Sequence, residues 1–550
     1  ELIDDPECIG NMKVNGKPTP DKRSMIYSYL FEEQDFKLRK SKKTVIANNQ
    51  DIEQKDYAGT IVDIDYKKKE VLIKRGTSQG TLPPILSIGP NKPQGNDKLI
   101  LNTYKFIDSL IDGEKKYKAL NDFLEKKYPN IKNIKQGDKI IQNNEFDKEI
   151  PKIISNLNDS YIYIQGPPGT GKTYQAANAI TELLKQNKKI AITGLSHKVI
   201  HNLLYRVEEM ASKKQIEFAG YKRGNLEDDD QIFNGEFIKT HSKDPIFMDA
   251  LKETNSGQIF AGTKFHLASR YYDEQIDYLF IDEAGQVSLA DLISIGNIAK
   301  NIVLIGDQNQ LGQPIKGTHP NKSGQSILDY LLEGKDTIPE DRGIFLNKTY
   351  RLHPKINDFI SSNFYEDRLI CDDRTDRRNI SFNKNSLIND SGIHFIEMNH
   401  ENNVQTSIEE FEEIKKLMNQ MIGSEYDDNG NKRKLTVEDF LIISPYNTQV
   451  NLLISKLEES NIKNPKVGTI DKFQGQEAPI TIISMTSSDN ETLPRNKEFF
   501  FSRNRLNVAI SRAQVVSVIL FNPKLLDSSP KKIEHIKLMN NFFKFLNYKI

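Results

Sequence analysis

"YIYIQGPPGTGKTYQAANAITELLKQ", residues 161 to 186, sets an apolar run, a glycine-rich segment and an amphipathic run in succession. The short apolar run "YIYIQ" (161 to 165) reads as a buried strand, and the amphipathic run from Tyr174 onward reads as a helix. Between them stands "GPPGTGKT" (166 to 173), a G-x-x-x-x-G-K-[ST] pattern in the strand-loop-helix context it requires. Composition alone yields this pattern in roughly 2% of chains of this length, and the flanking strand and helix make accident rarer still. Gly169 and Gly171 free the backbone so that its N–H groups converge on an anion at the helix N-terminus. The loop residues Gly166, Pro167, Pro168, Gly169, Thr170 and Gly171 are therefore expected to cradle a nucleotide's phosphates. Lys172 is expected to neutralise β- and γ-phosphate charge, and Thr173 to ligate Mg²⁺ through its hydroxyl.

Outward from this stretch, short β-rich apolar runs alternate with amphipathic helices, which signals a parallel sheet covered on both faces. The predicted strands of a first α/β domain are 161–165, 189–193, 258–262, 278–282 and 301–306. A second set, 393–398, 440–445, 467–470, 480–485 and 515–521, predicts a second α/β domain, with the boundary near residue 345. In the first domain "YLFIDEAGQ" (278 to 286) carries a buried strand to its edge. There Asp282 is placed to hold Mg²⁺, and Glu283 to polarise a water against the γ-phosphate. An Asp-Glu pair at a strand end is weak by itself; beside a phosphate loop it is strong. "VLIGDQNQLGQP" (303 to 314) is another strand emptying into a polar loop, with Gln310 placed to report on the γ-phosphate.

At 550 residues the chain is long enough for three or four domains. Its 76 basic and 76 acidic residues balance, which excludes a simple basic-tail mode of nucleic-acid binding and leaves the partner open. The two cysteines, Cys8 and Cys371, exclude a disulfide framework, a four-thiolate zinc site and an iron–sulfur cluster built from this chain alone. Without an apolar run of membrane-spanning length or a charged-then-apolar leader, the sequence points to a soluble, cytoplasmic protein with no membrane partner. The first residue is Glu1 and not methionine, so a trimmed or partial chain is expected. Near the start, "GTIVDIDY" (59 to 66), a turn of three lysines and "EVLIKRG" (70 to 76) form a hairpin suited to a small sheet or barrel. "TLPPILSIGPNKPQGNDK" (81 to 98) reads as a linker, and 99 to 128 as helix interrupted near Gly113. Stretches 224–256, 371–390 and 423–435 read as surface insertions, and the basic "DRTDRRN" (373 to 379) as a solvated loop.

In this order these stretches resemble the superfamily 1 helicases, in the branch typified by the up-frameshift RNA helicase and the eukaryotic replication helicase-nuclease. The resemblance continues through "GLSHKVIHNLL" (194 to 204), "GTKFHLA" (262 to 268) and "LNKTYRLHP" (346 to 354). It runs on through "ISPYNTQV" (443 to 450), "GTIDKFQGQE" (468 to 477) and "RLNVAISRA" (505 to 513). The implied fold is α/β: two tandem RecA-like P-loop domains, with ATP between them and a single nucleic-acid strand across both. The implied organisation is an accessory β-barrel-like region over 1–98, a helical stalk or linker over 99–145, and RecA-like domains over 146–345 and 346–550. By resemblance Arg351 and Arg512 are the γ-phosphate arginines, which the chemistry needs because the phosphoryl-transfer transition state spreads charge over three oxygens. Tyr350 matches the aromatic that stacks on the base, and Glu477 the carboxylate that contacts the ribose. The family's adenine-reading glutamine has only Gln142 as a stand-in, at longer spacing, which weakens the case for strict adenine preference.

The positions matching the family's strand contacts are Ser196, His197, Lys198 and Thr263 in the first domain and Pro445, Tyr446 and Thr469 in the second. Plainer readings stand beside these: Ser196 and Thr469 as helix caps, His197 as a buried, hydrogen-bonded ring. The resemblance implies an ATP-hydrolysing helicase or translocase on single strands, moving 5′ to 3′. The alternative is an ATPase that remodels protein–nucleic-acid complexes without processive unwinding, or an RNA helicase. "YSYLFEEQDFKLR" (27 to 39) and the hairpin after it look like the region before the motor in bacterial fusions with a RecB-like nuclease. That favours DNA over RNA, with a nuclease domain or subunit as partner. No cluster of carboxylates with a lysine stands in residues 1 to 150, so no nuclease activity is expected of this chain.

Overall fold

The computed structural model describes residues 2–3, 5, 7–34, 36, 38–40, 42–47, 57–66, 68–91, 95–312, 319–382, 387–489 and 502–526. Asp35, Lys37, Lys67, residues 92–94 and 383–386, and Gln313 and Pro314, which fall within stretches quoted above, lie outside the described residues. The chain divides into two compact units. One comprises Gly95–Arg378 and Arg503–Ser511; the other comprises Glu1–Gln94, Asn379–Ser502 and Arg512–Ile550.

The unit that holds the phosphate loop is built on a parallel sheet. Among the described residues the strand order is Ile238–His241, Ala219–Arg223, Gln258–Ala261, Lys189–Thr193, Ile276–Ile281, Ala299–Gly306, Tyr161–Gln165, Ile344–Phe345. All five expected strands are in it. Tyr161–Gln165 is buried at every position, as a parallel strand covered on both faces must be. The stretch 224–256 is no mere surface insertion, since it contributes the edge strand Ile238–His241 and the helix Asp244–Lys252. Its signal is short: Ile238 is the one buried residue of that strand, and Phe247, Ala250 and Leu251 are the buried residues of the helix. The expected helical region forms as Asp97–Ile111 and Lys118–Leu124, broken at Gly113 with φ +74°.

This unit continues past residue 345. The paired strands Lys348–Thr349 and Ile370–Cys371, the helix Pro354–Phe364 and the turn Asp373–Asp376 belong to it, and so does the helix Arg503–Ile510. This compact unit runs on to Arg378, and the segment after 345 is hydrogen-bonded to the phosphate loop.

In the other unit, seven antiparallel strands are described between Ile9 and Pro90. The strand Ile9–Val14 pairs with both Ile85–Pro90 and Ser24–Leu30, which closes the sheet into a barrel. Ile9, Met12, Tyr29, Ile61, Val71, Ile73, Leu86 and Ile88 fill it with no exposed surface. The stretch expected as a linker, 81 to 98, thus supplies a barrel strand; Pro83 and Pro84 precede it and Pro90 ends it, where a missing N–H is tolerated. The second predicted strand set forms a parallel sheet in the order Gly392–Glu397, Ala513–Phe521, Ala478–Ser484, Phe440–Ile443, Val467–Gly468. The stretch 423–435 is a hairpin of Glu425–Asp428 and Asn431–Lys434. It turns at Asn429 (φ +58°) and Gly430 (φ +90°), the Asn-Gly signal of a two-residue β-turn.

Candidate functional site

The phosphate loop runs from the strand Tyr161–Gln165 to the helix Lys172–Lys185, with Gly169 at φ +75° and Gly171 at φ +80°. Left-handed backbone at both points turns successive N–H groups inward, and only glycine adopts it without strain. Thr170 Oγ1 donates to Pro167 O at 2.8 Å, which fixes the turn. Lys172 Nζ donates to Gly166 O at 2.5 Å, so the cation lies over the loop. Thr173 follows in the first helical turn.

Two acidic strand ends face the same lysine. Asp282 follows Ile276–Ile281 and is buried; burial, with the Glu283 charge beside it, pushes its carboxyl above the usual range against the pull of Lys172. Glu283 sits at φ +53°, a conformation rare outside glycine, and its N–H donates to Asp282 Oδ1 at 2.9 Å. Asp307 follows Ala299–Gly306 and is also buried. Burial raises its pKa, again against the pull of Lys172. Gln310 Nε2 donates to Asp307 Oδ2 at 2.9 Å, so the expected γ-phosphate reporter is tied to a carboxylate that the sequence reading passed over. Asp307 stood at a strand end in "VLIGDQNQLGQP" just as Asp282 did in "YLFIDEAGQ"; the missed signal was that symmetry. A hydroxyl and carboxylates at a phosphate loop are the hard oxygen donors that Mg²⁺ prefers, so Thr173 and Asp282 fit that ion.

The segment "KTYRLHP" lies on the loop itself. Thr349 Oγ1 donates to Pro168 O and the Tyr350 N–H donates to Gly169 O, each at 2.9 Å. A Cβ on Gly169 would stand 2.4 Å from Arg351 Cβ, so the two backbones approach as closely as glycine allows. Arg351 Nη1 donates to Ser511 O at 3.2 Å. The Tyr350 ring is exposed, with the Arg374 guanidinium 5.0 Å from its centroid. Arg378 Nη1 donates to Tyr350 O at 3.2 Å and Arg351 O at 2.9 Å, so "DRTDRRN" is more than a solvated loop: two of its arginines brace this segment.

Four expected strand-contact residues lie in this unit. Ser196 caps the helix His197–Lys214, its Oγ accepting from Val199 N at 3.3 Å. His197 Nδ1 is buried with no hydrogen-bond partner, and burial with the nearby Lys222 charge lowers its pKa to about 4. Lys198 is exposed, and Thr263 precedes the short helix Lys264–Leu267. Gln142 is exposed, with its amide donating to Lys139 O.

The remaining expected residues lie in the other unit. Arg512 is buried and donates from Nη1 to Gln476 O at 3.3 Å. Glu477 is exposed, with Oε1 accepting from Gln514 Nε2 at 2.9 Å. Thr469 precedes the turn Ile470–Phe473 without a side-chain cap bond, so the cap reading fails there. Pro445 is half-buried, and Tyr446 has no exposed surface. The Tyr446 ring is packed and cannot stack on a base as it stands.

Two family models described as AAA domain match residues 151–315 and 324–524. The DNA replication ATP-dependent helicase/nuclease dna2 of Schizosaccharomyces pombe is 28% identical over 411 residues, covering 69% of this chain and 28% of that protein. Regulator of nonsense transcripts 1 of Dictyostelium discoideum is 27% identical over 444 residues, covering 68% of this chain and 31% of its own length. The probable RNA helicase armi of Drosophila melanogaster is 30% identical over 284 residues, covering 45% and 23%. The chain thus spans about a third or less of the length of each of these relatives.

Proposed function

This chain belongs to the superfamily 1 helicases of the up-frameshift type, and from that premise we propose that it hydrolyses ATP to move along single-stranded nucleic acid. The observation that carries the proposal is the convergence on one loop. Lys172 lies over Gly166 with Asp282 and Asp307 in its field, while Thr349 and Tyr350 bond to the loop's own carbonyls.

In this reading Gly166 to Thr173 hold the triphosphate and Tyr350 offers its exposed face to the base. Thr173 and Asp282 would hold Mg²⁺, which when bound neutralises charge on the β- and γ-phosphate oxygens. Glu283 takes a proton from the attacking water, and Gln310 orients groups at the γ-phosphate through its bond to Asp307. Arg351 stabilises charge developing on the transferred phosphoryl group. The roles of Arg512 at the γ-phosphate and of Glu477 at the ribose rest on the family motifs alone. Ser196, His197, Lys198, Thr263, Pro445 and Thr469 track the strand by its phosphates and sugars, with Tyr446 as support beneath. At neutral pH His197 contributes as a neutral donor or acceptor and not as a cation, given its lowered pKa.

We read the movement as 5′ to 3′ and the strand as DNA. The direction rests on the family resemblance, and DNA is supported by a relative named for DNA replication, while armi, named a probable RNA helicase, weighs the other way. A duplex-unwinding assay with a 5′ or a 3′ single-stranded tail, in DNA and in RNA, tests each part. Unwinding of 5′-tailed DNA is expected; ATP hydrolysis without unwinding on any tail would favour remodelling instead.

A further inference from the structure

We infer that Tyr365 is a positioning residue for ATP hydrolysis: its hydroxyl joins Asp307, beside the phosphate loop, to Asn507 on the helix Arg503–Ile510, so that helix follows the state of the loop. The inference rests on the ATPase reading above.

Tyr365 follows the helix Pro354–Phe364 and has no exposed surface. A phenol costs free energy to bury unless its hydroxyl is paired, and this one is paired in both roles. It donates to Asp307 Oδ2 at 2.6 Å and accepts from Asn507 Nδ2 at 3.1 Å. A phenylalanine would fill the same space without either bond. Asp307 stands one residue beyond Gly306, whose carbonyl accepts from Gly166 N at 3.0 Å, so the acid is tied to the phosphate loop by backbone as well as by the field of Lys172.

The helix on the far side of Tyr365 is fastened to the loop that Asp307 opens. Asn504 Nδ2 donates to Gln308 O at 2.8 Å and to Gln310 O at 2.7 Å, and Asn507 Nδ2 donates to Asn309 O at 2.8 Å. Arg503 holds both oxygens of Asp336, at 2.7 and 2.9 Å. Just past the helix, Ser511 O accepts from Arg351. This short helix therefore donates side-chain bonds to carbonyls of the Gln310 loop, and the residue just past it accepts from the "TYR" segment; these are the two pieces assigned to the γ-phosphate. Asn507 Oδ1 is buried without a hydrogen-bond partner, a cost that argues the residue is kept for its two donated bonds and not for packing. The next residue along the chain after Ser511 is Arg512.

The test compares wild type, Tyr365→Phe and Asn507→Ser for ATP hydrolysis with saturating single strand, for thermal unfolding, and for strand affinity in ADP and in a non-hydrolysable ATP analogue. Loss of fine positioning is expected to lower kcat about 10- to 100-fold while KM for ATP and the unfolding temperature stay near wild type. The ratio of strand affinities in the two nucleotides should fall toward one in both variants. The double variant should be no slower than the slower single one, because the two residues act as one unit. Wild-type kcat and affinity ratio in Tyr365→Phe would overturn the inference. So would losses of kcat, KM and unfolding temperature in step, which would make the contact packing only. A wild-type protein without strand-stimulated hydrolysis would instead remove the ATPase reading, and this inference with it.

Discussion

The Tyr350 N–H donates to the Gly169 carbonyl at 2.9 Å, so the residue expected to stack on the base and the arginine after it are held on the phosphate loop by that loop's own backbone. The pairing makes the contact independent of any side chain at 350 and places a strict demand on residue 169.

Gly169→Ala tests that demand. Its φ of +75° costs an alanine about 1–2 kcal/mol, and a Cβ would overlap Arg351 Cβ at 2.4 Å. Denaturant unfolding should show a loss of at least that size, with stimulated hydrolysis abolished. A variant of wild-type stability and activity would mean that the approach of the two backbones is not required.

Arg351→Ala and Tyr350→Ala should separate chemistry from binding. The first is expected to keep nucleotide affinity and to lose hydrolysis by about 10³-fold or more, as removal of a phosphoryl-transfer arginine does. The second should mainly weaken nucleotide binding. Equilibrium binding of a fluorescent nucleotide beside steady-state hydrolysis reads both, and the opposite pattern would reverse the assignment.

Acid should weaken the phosphate-loop unit through His266. This ring is buried, bonded from Nε2 to the Tyr272 hydroxyl at 2.9 Å, and burial lowers its pKa to about 3. The unfolded chain titrates near the ordinary histidine value of about 6.5, so stability is fully present above that pH and is lost as pH falls toward the folded value. Between pH 7 and 5 the loss from this group is about 2 kcal/mol. His266→Asn should flatten the dependence by that amount in denaturant unfolding at the two pH values; an unchanged slope would show that His266 does not carry it.

Much of the fold was legible because its signals are local. The ten predicted strands of the two parallel sheets announce themselves as apolar runs, and the phosphate loop carries its strand before and helix after. The barrel strand Ile85–Pro90 was hidden by prolines that punctuate its ends. Ile238–His241 was hidden because four residues with one buried position show no period. In the site, Lys172, Thr173 and Asp282 follow from spacing, whereas Asp307, Tyr365 and Asn507 meet only through the tertiary fold. Tyr365 and Asn507 are 142 residues apart, and nothing in either neighbourhood announces a buried relay. The placement of Arg351 on the loop was equally invisible, because it depends on backbone donors that every residue possesses.

The proposed activity is hydrolysis of ATP at this phosphate loop in response to a nucleic-acid strand. The most direct measurement is phosphate release with and without single-stranded oligomer, in wild type and in Lys172→Ala. Hydrolysis that rises with the strand and vanishes in Lys172→Ala is the predicted result; hydrolysis indifferent to the strand, or retained in Lys172→Ala, would contradict it.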